Sequence, residues 1–567
     1  MNVPTNLFMW IMACLPIIVL LLLLIKFQWG ATEAAPIGLL ITIITAVAFY
    51  KADFTLLASE TAKGIWSALP ILLIVWTAIL LYQVADEAKA FLVIRNGMRK
   101  LLPNELLLVL ALGWILESFL QGITGFGVPV AVGAPLLIGI GMHPMWAVIL
   151  PLLGQSWGNT FGTLAAAWDS LASTSGLTTG SPEYFAAALW ASAFLFVWDV
   201  ITGLIMCWFY GKGAGVKKGL PAVLILAVIQ GGGELLLSQV NTTLSCFIPS
   251  CVSLVALFLI GRMKMYREEW KLEDSPIMNR AGTTAKEEEG PSDMSLLQAF
   301  VPYFILTALT IIVLVVKPIN EFLGQFSIGF SFAETSTGYG FVNQAVESFS
   351  PLVPFTHASM FLFLSSIVGL IYYGSHGWIK KGGTGRVFAK SVAMTMPSGI
   401  AVIGLVIMSR IMGGTGQTDV LADGISRVLG KAYAILSPVV GLIGTFMTAS
   451  NMSSNILFGA FQSTTAGLLG LNEAAVLGAQ TAGGAIGAAI SPSKIILGTT
   501  TAGILGREGE VLKKLMPIAI GTTIVIGLVV FATAVYRNGR IRGGKSDEKQ
   551  VFLKQKKADL RSHSSSS

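Results

Sequence analysis

Residues 117–142, ESFLQGITGFGVPVAVGAPLLIGIGM, are apolar enough for a bilayer yet hold too many Gly and Pro residues to cross one as a single clean helix. Backbone in hydrocarbon must satisfy its own hydrogen bonds, so irregular chain survives there only when protein encloses it or it lines a cavity. Gly122, Gly125, Gly127, Pro129, Gly133 and Pro135 therefore mark a broken segment and a candidate site. A second interrupted stretch, residues 445–470 (TFMTASNMSSNILFGAFQSTTAGLLG), has the same character far downstream. Paired breaks in two halves of a chain point to the binding site of a secondary transporter.

The chain has 567 residues, of which 54% are hydrophobic and 12% charged. Soluble domains carry about 25% charged residues, so the composition specifies a polytopic membrane protein in contact with lipid. Cys14, Cys207, Cys246 and Cys251 all lie in apolar segments, which indicates neither a disulfide framework nor a metal cluster. The net charge of +7 sits largely in loops and the tail, as expected of cytoplasmic loops and not of nucleic-acid binding. No nucleophile and base set, metal spacing or phosphate loop is present, so neither an enzyme nor a cofactor is expected.

Apolar runs at 7–25, 34–50, 65–84, 105–122, 145–168, 185–210, 220–237 and 243–261 make a first transmembrane half within residues 1–261. Runs at 296–316, 355–373, 391–412, 432–447, 473–503 and 514–536 make a second within 296–536. A hydrophilic connector, 262–295, separates them and a hydrophilic tail, 537–567, follows. The expected fold is an all-α polytopic membrane protein of about 12–14 transmembrane helices, at about 20 residues per span. The run at 7–25 reads as an uncleaved first span, since no positive residue precedes it and no small-residue cleavage pattern follows.

Orientation follows from Lys and Arg in short loops. Lys212, Lys217, Lys218, the 262–286 loop, Lys380, Lys381, Arg386 and Lys390 go to the cytoplasm, and the Lys- and Arg-poor loops 231–243 and 317–354 go outside. Lys89, Arg95, Arg99 and Lys100 place the approach to the first broken region inside, whereas the 413–431 loop would lie outside. Opposite approaches are what two inverted-topology halves with broken or re-entrant hairpins require. A faint echo agrees: LLGQSWGNTFGTLAA and VLGAQTAGGAIGAAI register Gln155, Gly158 and Gly162 on Gln480, Gly483 and Gly487, although Gly- and Ala-rich helices also resemble each other by chance.

Single Ser, Thr or Asn residues in membranes commonly serve helix packing. Ser450, Asn451, Ser453, Ser454 and Asn455 are different, because five hydrogen-bonding side chains in six positions cannot all face one neighbouring helix. A break there offers oxygens and free N–H groups to an anion or small cation. Gln121, Thr124, Gln155, Ser156, Asn159 and Thr160 form the weaker counterpart in the first half. Glu117 shares a helix face with Gln121, four residues on. Arg410 and Lys494 are candidate anion attractors, set against snorkelling to an interface. Asp169, Asp199, Glu234 and Glu473 read as lying nearer helix ends.

FLQGITGFGVPVAVGAPLLIGIG, SPVVGLIGTFMTASNMSSNILFGAFQ, AQTAGGAIGAAISPSKI and AGILGREGE resemble the bacterial L-lactate permease family, over most of the chain and most tightly in the two broken blocks. The resemblance implies a proton-coupled importer of lactate, glycolate or a related 2-hydroxy monocarboxylate in the bacterial inner membrane. It belongs to a wider group of carriers with inverted repeats, whose Ser, Asn and Thr hairpin tips bind the substrate carboxylate or, in some branches, sodium. On this reading Gln121, Thr124, Gly125, Gly127, Gln155, Asn159, Ser450, Asn451, Ser453, Ser454, Asn455 and Gln480 contact substrate or ion, with Glu117 as the proton-coupling candidate. Many carriers of this kind are dimers, which leaves a homodimer open.

Two departures stand out. The usual family pattern has an acidic residue at the positions of Gln121 and Asn451, and GQSWGNTFGT replaces a stretch closer to ANTAPVAFG. An amide takes up no proton, so a sodium-coupled carrier of a different organic anion is the rival expectation. A membrane sensor or scaffold that does not transport is a third, disfavoured by the lack of any signalling domain.

Overall fold

The computed structural model describes residues 3–27, 29–125, 127–280 and 290–533; the hydrophilic tail at 537–567 lies outside them. Among the described residues, 11 helices are long and apolar enough to cross a membrane, or 12 when the bent pair Val301–Val315 and Lys317–Gly324 counts as one span. The longest run, Pro182–Leu237, reverses at Gly211 and Lys212, where the helical dihedrals are lost. Its two arms return against each other: Ser192 Oγ meets Ser238 Oγ at 3.2 Å, and Gly231 lies on Phe196.

The helices form an inner and an outer set. In Glu105–Ile123 all of the apolar window is buried, and in Glu473–Thr501 94% of it is; for Leu7–Leu24, Ala31–Tyr50 and Glu508–Thr533 the share is 33%. The outer helices thus present most of their surface outward, as lipid-facing spans do. The inner ones approach through glycines: a Cβ on Gly487 would stand 2.6 Å from the Leu442 carbonyl oxygen, and one on Gly122 3.2 Å from the Phe247 backbone. Removing the side chain there lets backbones touch, which is how helices associate without a hydrophobic drive between them.

Breaks recur in one order in both halves. In the first, Glu105–Ile123 ends at Thr124, and Val128–Ile138 follows; then Pro144–Gly154 stops and the chain resumes helically at Gly162–Ser175. In the second, Tyr433–Thr448 ends at Ala449 and Asn451–Leu469 follows; then Glu473–Gly487 gives way to Pro492–Thr501. Thr124 and Ala449, which close the two leading helices, stand in the same sequence offset as Gln155 and Gln480.

Three regions differ from the sequence reading. The 145–168 run, expected to be continuous, is two helices with a break, because Gln155–Phe161 forms turns and a short 3-10 segment. The 413–431 loop contains a helix, Gln417–Leu429. The 317–354 loop carries two antiparallel hairpins, Ile328–Phe332 with Val346–Leu352 and Thr335–Ser336 with Val342–Asn343. Phe332 and Phe349 of the larger hairpin meet edge-on and cover a buried ion cluster described below.

Candidate functional site

The breaks converge on one small cavity of about 30 Å³, lined by Gln121, Asn159, Gly162, Thr163, Ala166, Ala167, Ala449, Ser450, Asn451, Met452 and Lys494. It draws residues from both halves and from four broken segments. Such a volume holds about one water, too little in this conformation for a carboxylate-sized guest.

Each break has a local cause. Gly125 and Gly127, with φ of 57° and 84°, take the left-handed conformation that a side chain disfavours, and so turn the chain after Thr124. Ala449 also has a positive φ, of 60°, and Ser450 then caps Asn451–Leu469 by accepting from the Ser453 amide at 3.2 Å. Pro492 opens the last short helix after an extended Ser491. The fourth break is strained: Thr163, Leu164 and Ala165 all have left-handed φ, of 51°, 50° and 69°. Left-handed backbone costs roughly 1–2 kcal/mol per L-residue, and strain of this kind collects at ligand sites and switches.

Lys494 is the cavity's cation. It sits in the first turn of Pro492–Thr501, only 5% exposed, and its ammonium donates to Asn159 Oδ1 at 3.3 Å. No carboxylate pairs with it among the described residues. A lysine at the start of a helix adds to the positive end of the helix dipole instead of offsetting it. The first turn of Asn451–Leu469 lines the same cavity, so the site is electropositive and suited to a small anion.

A hydrogen-bonded floor ties the halves together beneath it. Asn451 Nδ2 donates to the Thr481 carbonyl at 3.1 Å and reaches Thr160 Oγ1 at 3.3 Å; Asn455 Nδ2 donates to the Ala167 carbonyl and to Thr481 Oγ1, both at 2.9 Å. Thr160 and Thr481 hydroxyls meet at 3.0 Å. The side-chain oxygens of Gln121, Asn451 and Asn455 accept no bond.

Of the residues expected from sequence, Gln121, Asn159, Ser450, Asn451 and Lys494 line the cavity. Asn455, Ser454 and Gln480 lie in the floor, where Gln480 donates to Ser454 Oγ at 3.2 Å and accepts from Gln462 at 2.7 Å. Gln155 is buried with neither amide atom partnered, and Ser453 is buried beside the Ser450 cap. Thr124 bonds back to the Leu120 carbonyl at 2.9 Å; Gly125 packs on Thr163 and Gln121, and Gly127 on Leu497.

Two expected residues lie elsewhere. Arg410 is not in the cavity: its guanidinium pairs with Glu60 at 2.8 Å, and Glu60 also holds Lys63 at 2.7 Å, beneath the Phe332 and Phe349 rings. The guanidinium is thereby held at the Glu60 and Lys63 cluster and not at the cavity. Glu117 is fully buried behind the cavity wall, where glycine at 133 leaves room for its carboxylate, and neither oxygen has a partner.

Thr160, named with the first-half set, lies in the floor; Thr163 and Thr481 were missed. Thr481 follows Gln480 in the echoed segment, which was the available signal; nothing in TFGTLAAA announces a left-handed turn at threonine.

The profile of the L-lactate permease family matches residues 9–536. The chain belongs to the L-lactate permease family. It is 24% identical to the L-lactate permease of Halalkalibacterium halodurans over 91% of this chain and 95% of that one. It is 26% identical to the glycolate permease GlcA of Escherichia coli (strain K12), over 94% and 96%, and 26% identical to the L-lactate permease of the same strain, over 92% and 94%. Among solved structures, the YdaH transporter of Alcanivorax borkumensis is similar at a TM-score of 0.43 and 13% identity, over 84% of this chain and 87% of that one, too distant to inform the site. These relatives are permeases, not enzymes. This family member is a multi-pass membrane transporter of lactate-like substrates.

Proposed function

We propose that the protein is a symporter that imports L-lactate or a related 2-hydroxy carboxylate across the bacterial inner membrane. The observation that carries this reading is the Lys494 ammonium, buried in the cavity with an amide oxygen as its partner and no counter-charge among the described residues. A substrate carboxylate supplies that charge, and the first turn of Asn451–Leu469 adds its dipole. The 2-hydroxyl then lies within reach of Gln121 or Asn159, whose amides both donate and accept. The relatives' printed substrates, lactate and glycolate, share this carboxylate and hydroxyl pattern.

Movement of the hairpin tips alternates access, with the strained Thr163–Ala165 turn as the element that rearranges. Coupling is to protons, and Glu117 is one carrier, since it is an unpaired carboxylate one turn before Gln121. A sodium-coupled reading has its own support in the unpartnered amide oxygens of Asn451 and Asn455, which are hard oxygen ligands of the right kind. Uptake of radiolabelled L-lactate into proteoliposomes, with proton and sodium gradients imposed separately, tests the proposal. Accumulation on a proton gradient alone supports it; accumulation only with sodium transfers coupling to the amides; no lactate uptake by folded protein rejects lactate as substrate.

A further inference from the structure

Behind the cavity wall lie two more acids that substrate binding does not use. Asp199 and Glu234, expected near helix ends, are both fully buried, Asp199 well inside the first arm of Pro182–Leu237. Asp199 Oδ1 accepts from Trp114 Nε1 at 2.8 Å. The Gly231 amide also approaches Asp199, whereas neither oxygen of Glu234 has a hydrogen-bond partner. The two acids stand on the packed arms, where Gly231 rests on Phe196, and each lies within electrostatic reach of the other and of the Cys246 thiol. No Lys, Arg or His forms an ion pair with either acid among the described residues.

The backbone around these acids is irregular in a specific way. Trp114 stands in a π-helical turn, Ala111–Ile115, and Glu234 follows a second, Val228–Gly232. Single π-turns inside helices are uncommon and frequent at functional sites. The cluster also adjoins the cavity wall: a Cβ on Gly158 would stand 2.9 Å from Cys246 Sγ and 3.4 Å from Gln121 Cγ. One glycine thus separates the acids' neighbour from a cavity-lining residue.

Acids kept only to pack helices would be expected to have their oxygens satisfied, since each unsatisfied buried acceptor costs about 1–3 kcal/mol. Two carboxyl groups close together in low dielectric resist ionising together, and so hold one proton between them across a wide pH range. We propose that Asp199 and Glu234 form a proton-binding pair that carries the coupling proton as a second station alongside Glu117. The pair takes the proton from the outer side while the cavity is open outward and yields it inward once the substrate has been released. This deepens the symport reading above and rests on it.

The test compares wild type, Glu234→Gln, Asp199→Asn and Glu234→Asp in proteoliposomes, with folding checked by size-exclusion profile. Two rates are read: L-lactate accumulation on an inward proton gradient, and exchange of external for internal lactate with no gradient. Exchange returns the carrier loaded, so it needs no net proton release. The expected result is that Glu234→Gln and Asp199→Asn lose accumulation above the equilibrated level, with Glu117 intact. Both keep measurable exchange whose rate varies less with pH than that of wild type, and Glu234→Asp recovers part of the accumulation. The proposal is overturned if both amide variants accumulate lactate with the wild-type pH dependence. It is overturned equally if folded variants lose exchange together with accumulation, because that marks a structural role. Failure of wild type itself to exchange lactate would instead remove the lactate symport reading, and this inference with it.

Discussion

Lys494 Nζ lies 3.3 Å from Asn159 Oδ1, joining the last broken segment of the second half to the helix break of the first. The contact crosses 335 positions of sequence and links two segments that must separate if the cavity is to open. A buried ammonium held only by an amide oxygen is under-compensated. An arriving carboxylate improves its situation, so substrate binding and rearrangement of the hairpin tips share one interaction.

Asn455→Ala should abolish L-lactate uptake while leaving folded protein. The substitution removes donor bonds to the Ala167 carbonyl and Thr481 Oγ1, each worth about 1 kcal/mol net, a loss a helix bundle of this size survives. Uptake in proteoliposomes together with a size-exclusion profile checks it; wild-type transport by this variant would remove Asn455 from the site.

Glu60 and Arg410 should behave asymmetrically. Arg410→Gln leaves Glu60 paired with Lys63, whereas Glu60→Gln leaves two cations under the Phe332 and Phe349 rings without a counter-charge. Removing one partner of a buried pair costs roughly 3–5 kcal/mol, so Glu60→Gln should show the larger fall in thermal unfolding temperature. Lactate affinity of Arg410→Gln should match wild type, since the guanidinium lies outside the cavity; a weakened affinity would restore Arg410 to the binding site.

Glycine substitutions should separate by contact and not by position in the chain. Gly487→Ala drives a methyl to 2.6 Å from the Leu442 carbonyl and should reduce the yield of folded protein. Gly467→Ala, on a helix with nothing within 4 Å, should be neutral or stabilising by up to about 1 kcal/mol. Fluorescence size-exclusion of both variants tests the pair.

The glycine and proline breaks and the Ser and Asn cluster were legible because bilayer physics makes them expensive without a purpose. Lys494 was legible as a candidate but not its partner, Asn159, which lies in the other half. The partner of Arg410 was hidden for a related reason: its carboxylate, Glu60, lies 350 positions earlier, and no local pattern announces such a pairing. The Thr163–Ala165 turn left no trace, since none of the three is the residue type that usually adopts positive φ. Asp199 and Glu234 read as end residues because the π-turn and the reversal at Gly211 and Lys212 that place them are set by packing between helices.

Whether Lys494 receives the substrate carboxylate is decided by equilibrium binding of radiolabelled L-lactate to purified wild type and Lys494→Gln. Wild type should bind saturably and Lys494→Gln should not, with both proteins folded. Binding of equal affinity to the two would contradict that role.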